Sequence, residues 1–294
     1  MCNTKKTLVV ILHYGSSEDT LACIDSIIES KTEGVDILVV ENSDCTAFPL
    51  KPRGVRFVLS GGNIGFSAGN NIGIRIAQEE SYDYVLLLNN DMVVDGDGLP
   101  RMKGILEKHP YIGMVGAVTY YYDKPDTIWA AGGNLHKYRC CIGGNKEITQ
   151  GNEELFDTDY LPGSCIMFRT QIVGTNGFLS ERYLFGIEEA QFCLEAKRHG
   201  WRIVVSKKAK AWHKIGISNQ CKPSLFYNGF RNRFIFAEYL HGIPLGYLFQ
   251  FLMLFNALVF KRIELRPGLL AISDHWKYNK IQIEHLHQAD KILL

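Results

Sequence analysis

The stretch Ser81–Asp95 constrains the fold of this chain more than any other. Tyr84 to Leu88 is an unbroken apolar run that gives way without transition to Asn89-Asn90-Asp91. So short a run, apolar at every position, is what a strand covered on both faces of a parallel sheet requires. Its polar end would stand at the carboxyl edge of the sheet, where open α/β folds place their ligands. Two neutral side-chain oxygens and one carboxylate suit a hard divalent cation already carrying phosphate oxygens. A plain polar turn after a strand uses the same residue types, so the triplet needs its surroundings to be read.

Those surroundings repeat the pattern. Thr7 to Leu12 predicts a first buried strand, the polar stretch His13–Asp19 offers helix caps, and Thr20 to Ser30 carries helix-spaced Leu21, Ile24, Ile27 and Ile28. Val35 to Val40 predicts a second strand ending in Glu41-Asn42-Ser43-Asp44, and Val55 to Leu59 a third. Strand, polar turn, helix, strand is the rhythm of βαβ units. After the third strand, Gly61, Gly62 and Gly65 permit a tight turn and close backbone approach, and Ser67 to Glu80 continues as a helix. The turn is neither a G-x-G-x-x-G fingerprint nor a P-loop, since no lysine follows. It serves a phosphate or simply packs helix on sheet.

Further on, the spacing predicts a helix over Leu99–Lys108, a strand over Ile112–Thr119, and an irregular region with short antiparallel strands over Tyr120–Leu161. Pro162–Arg169 reads as a turn into a strand. A helix through Phe192, Leu194 and Ala196 stops at His199-Gly200, and Trp201–Ser206 reads as a strand.

Composition narrows the function classes. A length of 294 residues with 46% hydrophobic and 21% charged residues fits one large α/β domain with an appendage, or two modest ones. The net charge of +1 gives no electrostatic footprint for nucleic acid. Eight cysteines form no C-x-x-C pair, which argues against a zinc ribbon or a thioredoxin-type site. The first apolar segment ends at His13, too short for a signal-peptide core, and no N-x-S/T acceptor occurs. A cytoplasmic chain with reduced thiols is the expectation.

With these pieces in order, the chain resembles the inverting nucleotide-sugar glycosyltransferases of family 2, especially the rhamnosyltransferase-like branch, over about Thr7 to Ser218. Leu38-Val39-Val40-Glu41-Asn42-Ser43 is similar to the family's strand ending in Val-Asp-Asn-Ser. Asn63-Ile64-Gly65-Phe66-Ser67-Ala68-Gly69-Asn70-Asn71 is close to the branch's Gly-Asn-x-Gly-Phe-x-x-Gly-Asn-Asn. Asn89-Asn90-Asp91 stands where the family has a D-x-D-like triplet, and Gly186–Leu194 where it has Trp/Tyr-Glu-Asp-x-Asp-Leu-x-Leu. His213 matches a histidine found past the last core strand.

The resemblance implies a GT-A fold: a mostly parallel, Rossmann-like nucleotide-binding sheet flanked by helices, with a C-terminal helical appendage. It implies a catalytic domain over residues 1–220, with a nucleotide-sugar half to about 119 and an acceptor half beyond, then a helical region over 221–294. The donor would be a UDP- or dTDP-linked sugar and the acceptor a saccharide or lipid-linked saccharide. Donor contacts would fall to Tyr14, Glu41, Asn63, Gly65, Phe66, Asn70, Asn89 and Asn90. Asp91 and His213 would hold Mg²⁺ or Mn²⁺; alternatively His213 is a partly buried residue beside Trp212. The family's Glu-Asp pair is Glu188-Glu189 here, and its later aspartate is Gln191. Glu189 is the expected general base and Glu188 the second candidate, while carboxylates at a helix start are favourable without catalysis.

Ile243 to Phe260 is apolar except for Gln250 and Asn256, with Lys261-Arg262 directly after. Pro244 and Gly246 weaken a membrane span, and an in-plane interfacial helix fits better. A buried helix or a contact between copies is the other reading. Two further functions stay open: a sugar nucleotidyltransferase, whose basic Gly-rich loop is absent after Leu12, and a nucleotide-sugar-binding protein that has lost catalysis through the Glu189 and Gln191 departures.

Overall fold

A computed structural model describes residues 4–43, 52–136, 140–144, 153–215, 223–259 and 265–278. Its centre is strand β1 (Thr7–His13), buried at every position. β1 pairs in parallel with β2 (Val35–Glu41) on one side and β4 (Tyr84–Asn89) on the other, and β2 pairs in parallel with β3 (Val55–Leu59). Alternate side chains of β1 enter opposite layers: Leu8, Val10 and Leu12 join one core, Val9 and Ile11 the other. A β-strand's period of two makes this split, and burying each such side chain contributes roughly 1.5–3 kcal/mol.

Helices seal both faces. α1 (Ser17–Glu29) starts at Ser16, whose Oγ accepts from the Asp19 N–H at 3.1 Å, with Glu18 and Asp19 at the positive end of the helix dipole. α2 (Phe66–Glu79) lies so close to β1 that a Cβ on Gly73 would sit 2.4 Å from Val10 Cγ1. β5 (Met92–Val94), a short return after the polar triplet, precedes α3 (Gly98–Lys108) and β6 (Ile112–Tyr121).

The region expected to be irregular does carry short antiparallel pieces. β7 (Ile128–Ala130) pairs with β6, and β8 (Gly133–His136) pairs with β9 (Cys141–Gly144). β10 (Leu155–Asp157) edges the large sheet. β11 (Cys165–Arg169) runs antiparallel between β4 and β6, so the sheet is parallel at its heart with one reversed strand joining the halves. α4 (Ile172–Asn176) and α5 (Glu188–Arg198) follow, then β12.

β12 spans Arg202–His213, seven residues beyond the expected Ser206. A register shift between Ser206 and Lys210 carries the strand past its lysines, so that it stays paired with β6 and meets β5. His213 is therefore the last residue of the strand, not a residue beyond it.

The C-terminal helices are α6 (Pro223–His241), α7 (Ile243–Val259) and α8 (Leu265–Lys277). α6 packs Tyr227, Phe230 and Phe234 against Leu184 and Ala271. Among the described residues no helix is long and apolar enough to cross a membrane. Lys261 and Arg262 lie outside the described residues.

Candidate active site

The carboxyl ends of β1, β2 and β4 converge on one cluster. Glu41, 2% exposed, accepts from the Ser43 N–H at 3.0 Å and the Ser43 hydroxyl at 2.5 Å through Oε1, while Oε2 makes no hydrogen bond. That second oxygen stands 3.6 Å from His13 Nε2. His13 Nδ1 meets Thr20 Oγ1 at 2.7 Å, and Thr20 Oγ1 accepts from the Asn90 amide at 3.0 Å. Burial holds His13 below its ordinary pKa against the pull of Glu41, which keeps the imidazole neutral. A continuous polar chain thus runs from the end of β2 to the triplet after β4. The Asn90 amide also faces the Tyr14 and Ser16 carbonyls at 3.3 and 3.4 Å.

The glycine turn is laced to the same edge. Asn42 Oδ1 accepts from Ile64 N–H, and the Asn63 side chain accepts from Gly65 N–H, both at 3.1 Å. Gly65 has φ of 89°, and a Cβ there would meet the Leu184 carbonyl oxygen at 2.9 Å. Only glycine lets the turn sit this close to the loop before α5. Phe66 N–H then donates to Leu184 O at 2.8 Å. Asn70 is buried and donates to Phe66 O within its own helix, whereas Asn71 ties α2 to Leu179 through both ends of its amide.

Pairing of β5 with β12 brings His213 opposite Met92 and its imidazole onto Asp91: Nε2 lies 3.2 Å from both carboxylate oxygens. Asp91 Oδ1 and His213 Nδ1 are buried without a hydrogen bond. Trp129 packs edge-on against the imidazole at 4.5 Å between centroids. Lys214 N–H donates to Asp91 O, and its ammonium reaches Asp19 at 3.0 Å.

The acidic pair begins α5. Glu188 is 2% exposed and Glu189 is half-buried, and each has its Oε2 buried without a hydrogen bond. Burial, then the neighbouring Glu189 charge, push the Glu188 carboxyl up to about 8; burial also raises Glu189, against backbone groups of Glu189, Gly163 and Ile187. The pair is poised by Gly186 and Ile187, with φ of 87° and 77°. For a β-branched residue this left-handed backbone is costly and must be held from outside. α6 does so: Asn228 and Asn232 each donate to Phe185 O at 2.8 Å, Asn232 to Gly186 O at 2.8 Å, and buried Arg231 to Arg182 O at 2.7 Å.

The turn before β11 connects the two groups. Asn89 N–H donates to Ser164 O at 3.0 Å, and a Cβ on Gly163 would lie 3.1 Å from the Phe66 ring and 3.8 Å from Glu189 Cβ. Tyr14, Glu41, Asn63, Gly65, Phe66, Asn89, Asn90, Asp91, His213, Glu188 and Glu189 therefore surround one end of the sheet; Asn70 turns into its helix. Sequence reasoning passed over His13, Thr20 and Trp129 as site residues; it matched Tyr227–Arg233, which holds Asn228 and Asn232, to the family's Tyr-x-x-Arg-Asn segment without giving either a role. A histidine ending a buried strand was the available signal for the first, and none distinguished Trp129.

The family model described as Glycosyl transferase family 2 matches residues 8–176, more than half of the chain. The chain belongs to glycosyltransferase family 2. A curated relative, the low-salt glycan biosynthesis hexosyltransferase Agl10 of Haloferax volcanii, is 26% identical over 252 residues, covering 80% of this chain and 78% of the relative. Among solved structures, GalNAc-T7 with UDP, GalNAc and Mn²⁺ aligns with a TM-score of 0.60 at 11% identity, over 79% of this chain and 48% of that one. This glycosyltransferase thus spans about half the length of that structure. S. aureus TarS 1-349 aligns with a TM-score of 0.54 at 15% identity, over 90% and 71% of the two chains. These likenesses give the family 2 enzyme a GT-A fold, and membership decides against the nucleotidyltransferase reading.

Proposed function

We propose that this glycosyltransferase moves a hexosyl or deoxyhexosyl group from a UDP- or dTDP-linked donor to a glycan acceptor hydroxyl, with inversion at the anomeric carbon and a divalent cation bound. The observation that supports it most is the Pro162–Cys165 turn, which makes neighbours of the Asn89-Asn90-Asp91 edge and the half-buried Glu189. A leaving diphosphate and an attacking hydroxyl need those two kinds of group on opposite sides of one reacting carbon.

In this reading Glu41 accepts from the nucleoside through its unsatisfied Oε2, and His13 and Thr20 hold it in register with Asn90. Asp91 and His213 would hold Mg²⁺ or Mn²⁺ through the Asp91 carboxylate, whose Oδ1 lacks a hydrogen bond, and the His213 Nε2 that faces it at 3.2 Å. No group of three His, Cys, Asp or Glu able to hold a metal occurs among the described residues, so a cation held there would also need oxygens from the donor and from water. When bound, the cation supplies Lewis-acid stabilisation of the charge growing on the diphosphate. Glu189 takes the acceptor proton, and Glu188, pushed up to about 8 by burial and the Glu189 charge, stands beside it. The donor half extends to about residue 119, the acceptor half to about 220, and the remaining helices support the loop before Glu188.

The acceptor side includes peripheral contact with a membrane carrying anionic lipids. α7 has no charged residue, and Leu245, Leu248, Phe251, Leu252 and Phe255 are all more than half exposed on it. Such a stripe favours the headgroup–acyl boundary, and Lys261-Arg262, next in the sequence, favour anionic headgroups.

Thermal shift with a panel of UDP- and dTDP-sugars, with and without Mn²⁺, tests the donor assignment, since a ligand of the folded state raises its apparent stability. A metal-dependent rise for one nucleotide class, followed by transfer to a glycan acceptor, is the expected result. No shift with any nucleotide sugar would overturn the donor assignment.

A further inference from the structure

Away from the donor edge, α6, α7, α8 and the start of α5 enclose a cavity of about 470 Å³, within the range of small-ligand sites. Its lining includes Arg182, Gln191, Glu238, Tyr247, His275 and Trp276. We propose that this cavity binds a neutral saccharide, as the subsite for an outlying sugar of a glycan acceptor. The acceptor role rests on the transfer reading; saccharide binding itself does not.

Charge and hydrogen-bonding capacity select the ligand. Arg182 Nη2 lies 3.0 Å from one Glu238 oxygen and His275 Nε2 lies 2.7 Å from the other, so the ionic groups are matched among themselves. An anion would meet Glu238 and a cation would meet Arg182, and neither gains a free partner. Two of the lining side chains also carry a buried polar atom without a hydrogen bond, Arg182 Nε and His275 Nδ1. The His275 side chain is 4% exposed. Arg182 Nε is a donor, and His275 Nδ1 donates or accepts according to the ring's tautomer. Sugar hydroxyls both donate and accept without carrying charge, which suits a wall whose ionic groups are already matched. Gln191 adds an amide whose oxygen is already engaged by the Tyr183 hydroxyl at 2.8 Å, leaving its NH₂ group to donate.

The cavity also has an apolar platform. Tyr247 and Trp276 stack at 4.3 Å and 21°, and Trp276 keeps 57% of its surface exposed. The C–H face of a pyranose packs on such a ring face while its hydroxyls reach the polar wall. Gln191 lies one turn beyond Glu188 on α5, which joins the cavity to the helix that bears the acidic pair.

The test is an array of neutral and acidic oligosaccharides probed with the full chain, followed by calorimetric titration of the best-bound glycan. A neutral glycan should bind, and Trp276→Ala should weaken it by about tenfold or more, the factor for 1.4 kcal/mol, with melting temperature and UDP affinity unchanged. His275→Gln should weaken it in the same assay, and Asp91→Ala should not. Binding confined to acidic glycans, absence of any bound glycan, or undiminished binding by Trp276→Ala would overturn the proposal. Glycan binding by a protein that fails to bind UDP would support the cavity and sink only the donor assignment.

Discussion

His213 Nε2 lies 3.2 Å from the Asp91 carboxylate across 122 positions of sequence. The pairing of β5 with β12 creates this contact, and the two side chains form the cation site of the proposed mechanism. Asp91→Ala and His213→Ala should each weaken UDP binding in Mn²⁺ by at least roughly 10–100-fold, the loss typical when support for a metal site is removed. Calorimetric titration with and without chelator reads this directly. Equal UDP affinity in both buffers for the unmodified protein would remove the metal from the mechanism.

Glu189→Gln keeps the shape of the proposed base and removes its capacity to accept a proton. Transfer should fall by about 10²–10⁴-fold with donor affinity nearly unchanged. If Glu188→Gln abolishes transfer while Glu189→Gln retains it, the base is the buried residue instead.

Glu188 also makes a stability prediction. Its folded-state pKa is raised from 4.5 to about 8, so its protonated form favours the fold: the contribution is complete below pH 4.5 and is lost as pH rises through about 8. Urea unfolding across this window should show the wild type losing stability relative to Glu188→Gln as pH rises. Parallel curves for the two proteins would show that the carboxyl is not held protonated.

Asn232 acts through the loop rather than on substrate. Asn232→Ala leaves Gly186 O without its amide donor, a loss of about 1–3 kcal/mol in a buried setting. It also frees Ile187 from the left-handed conformation that aims α5. Transfer should drop by up to about 10²-fold, the cost of small misplacements in an active site, while UDP affinity holds. A variant that loses stability but transfers normally would confine Asn232 to a structural role.

The exposed stripe of α7, with Lys261-Arg262 following it in the sequence, predicts attachment to vesicles of anionic lipid, weakened by salt. Phe251→Glu with Leu252→Glu should release the protein in co-sedimentation, because both residues are more than half exposed and neither supports the core. No pelleting of the wild type at low salt would favour a contact between copies of the chain, which sedimentation velocity would reveal.

Local chemistry made much of the fold readable. β1, β2, β3 and β4 are short apolar runs with polar ends, and their edges differ from expectation by a residue at most. β5, α4 and the second half of β12 were not legible. β5 and α4 are too short to show a period, and the end of β12 is a lysine-rich segment made strand by its neighbours.

The sequence by itself determined the parallel core, the glycine turn and the identities of the polar groups at strand ends, because strand period, backbone freedom and side-chain chemistry are local properties. Tertiary structure alone decided which groups meet. It set His213 on Asp91, linked Glu41 to Asn90 through His13 and Thr20, buried Glu188 while leaving Glu189 half-buried, and made α6 the support for their loop. Each of these depends on contacts between segments distant in the chain, whose proximity is fixed only when the sheet registers and the helix packing are formed.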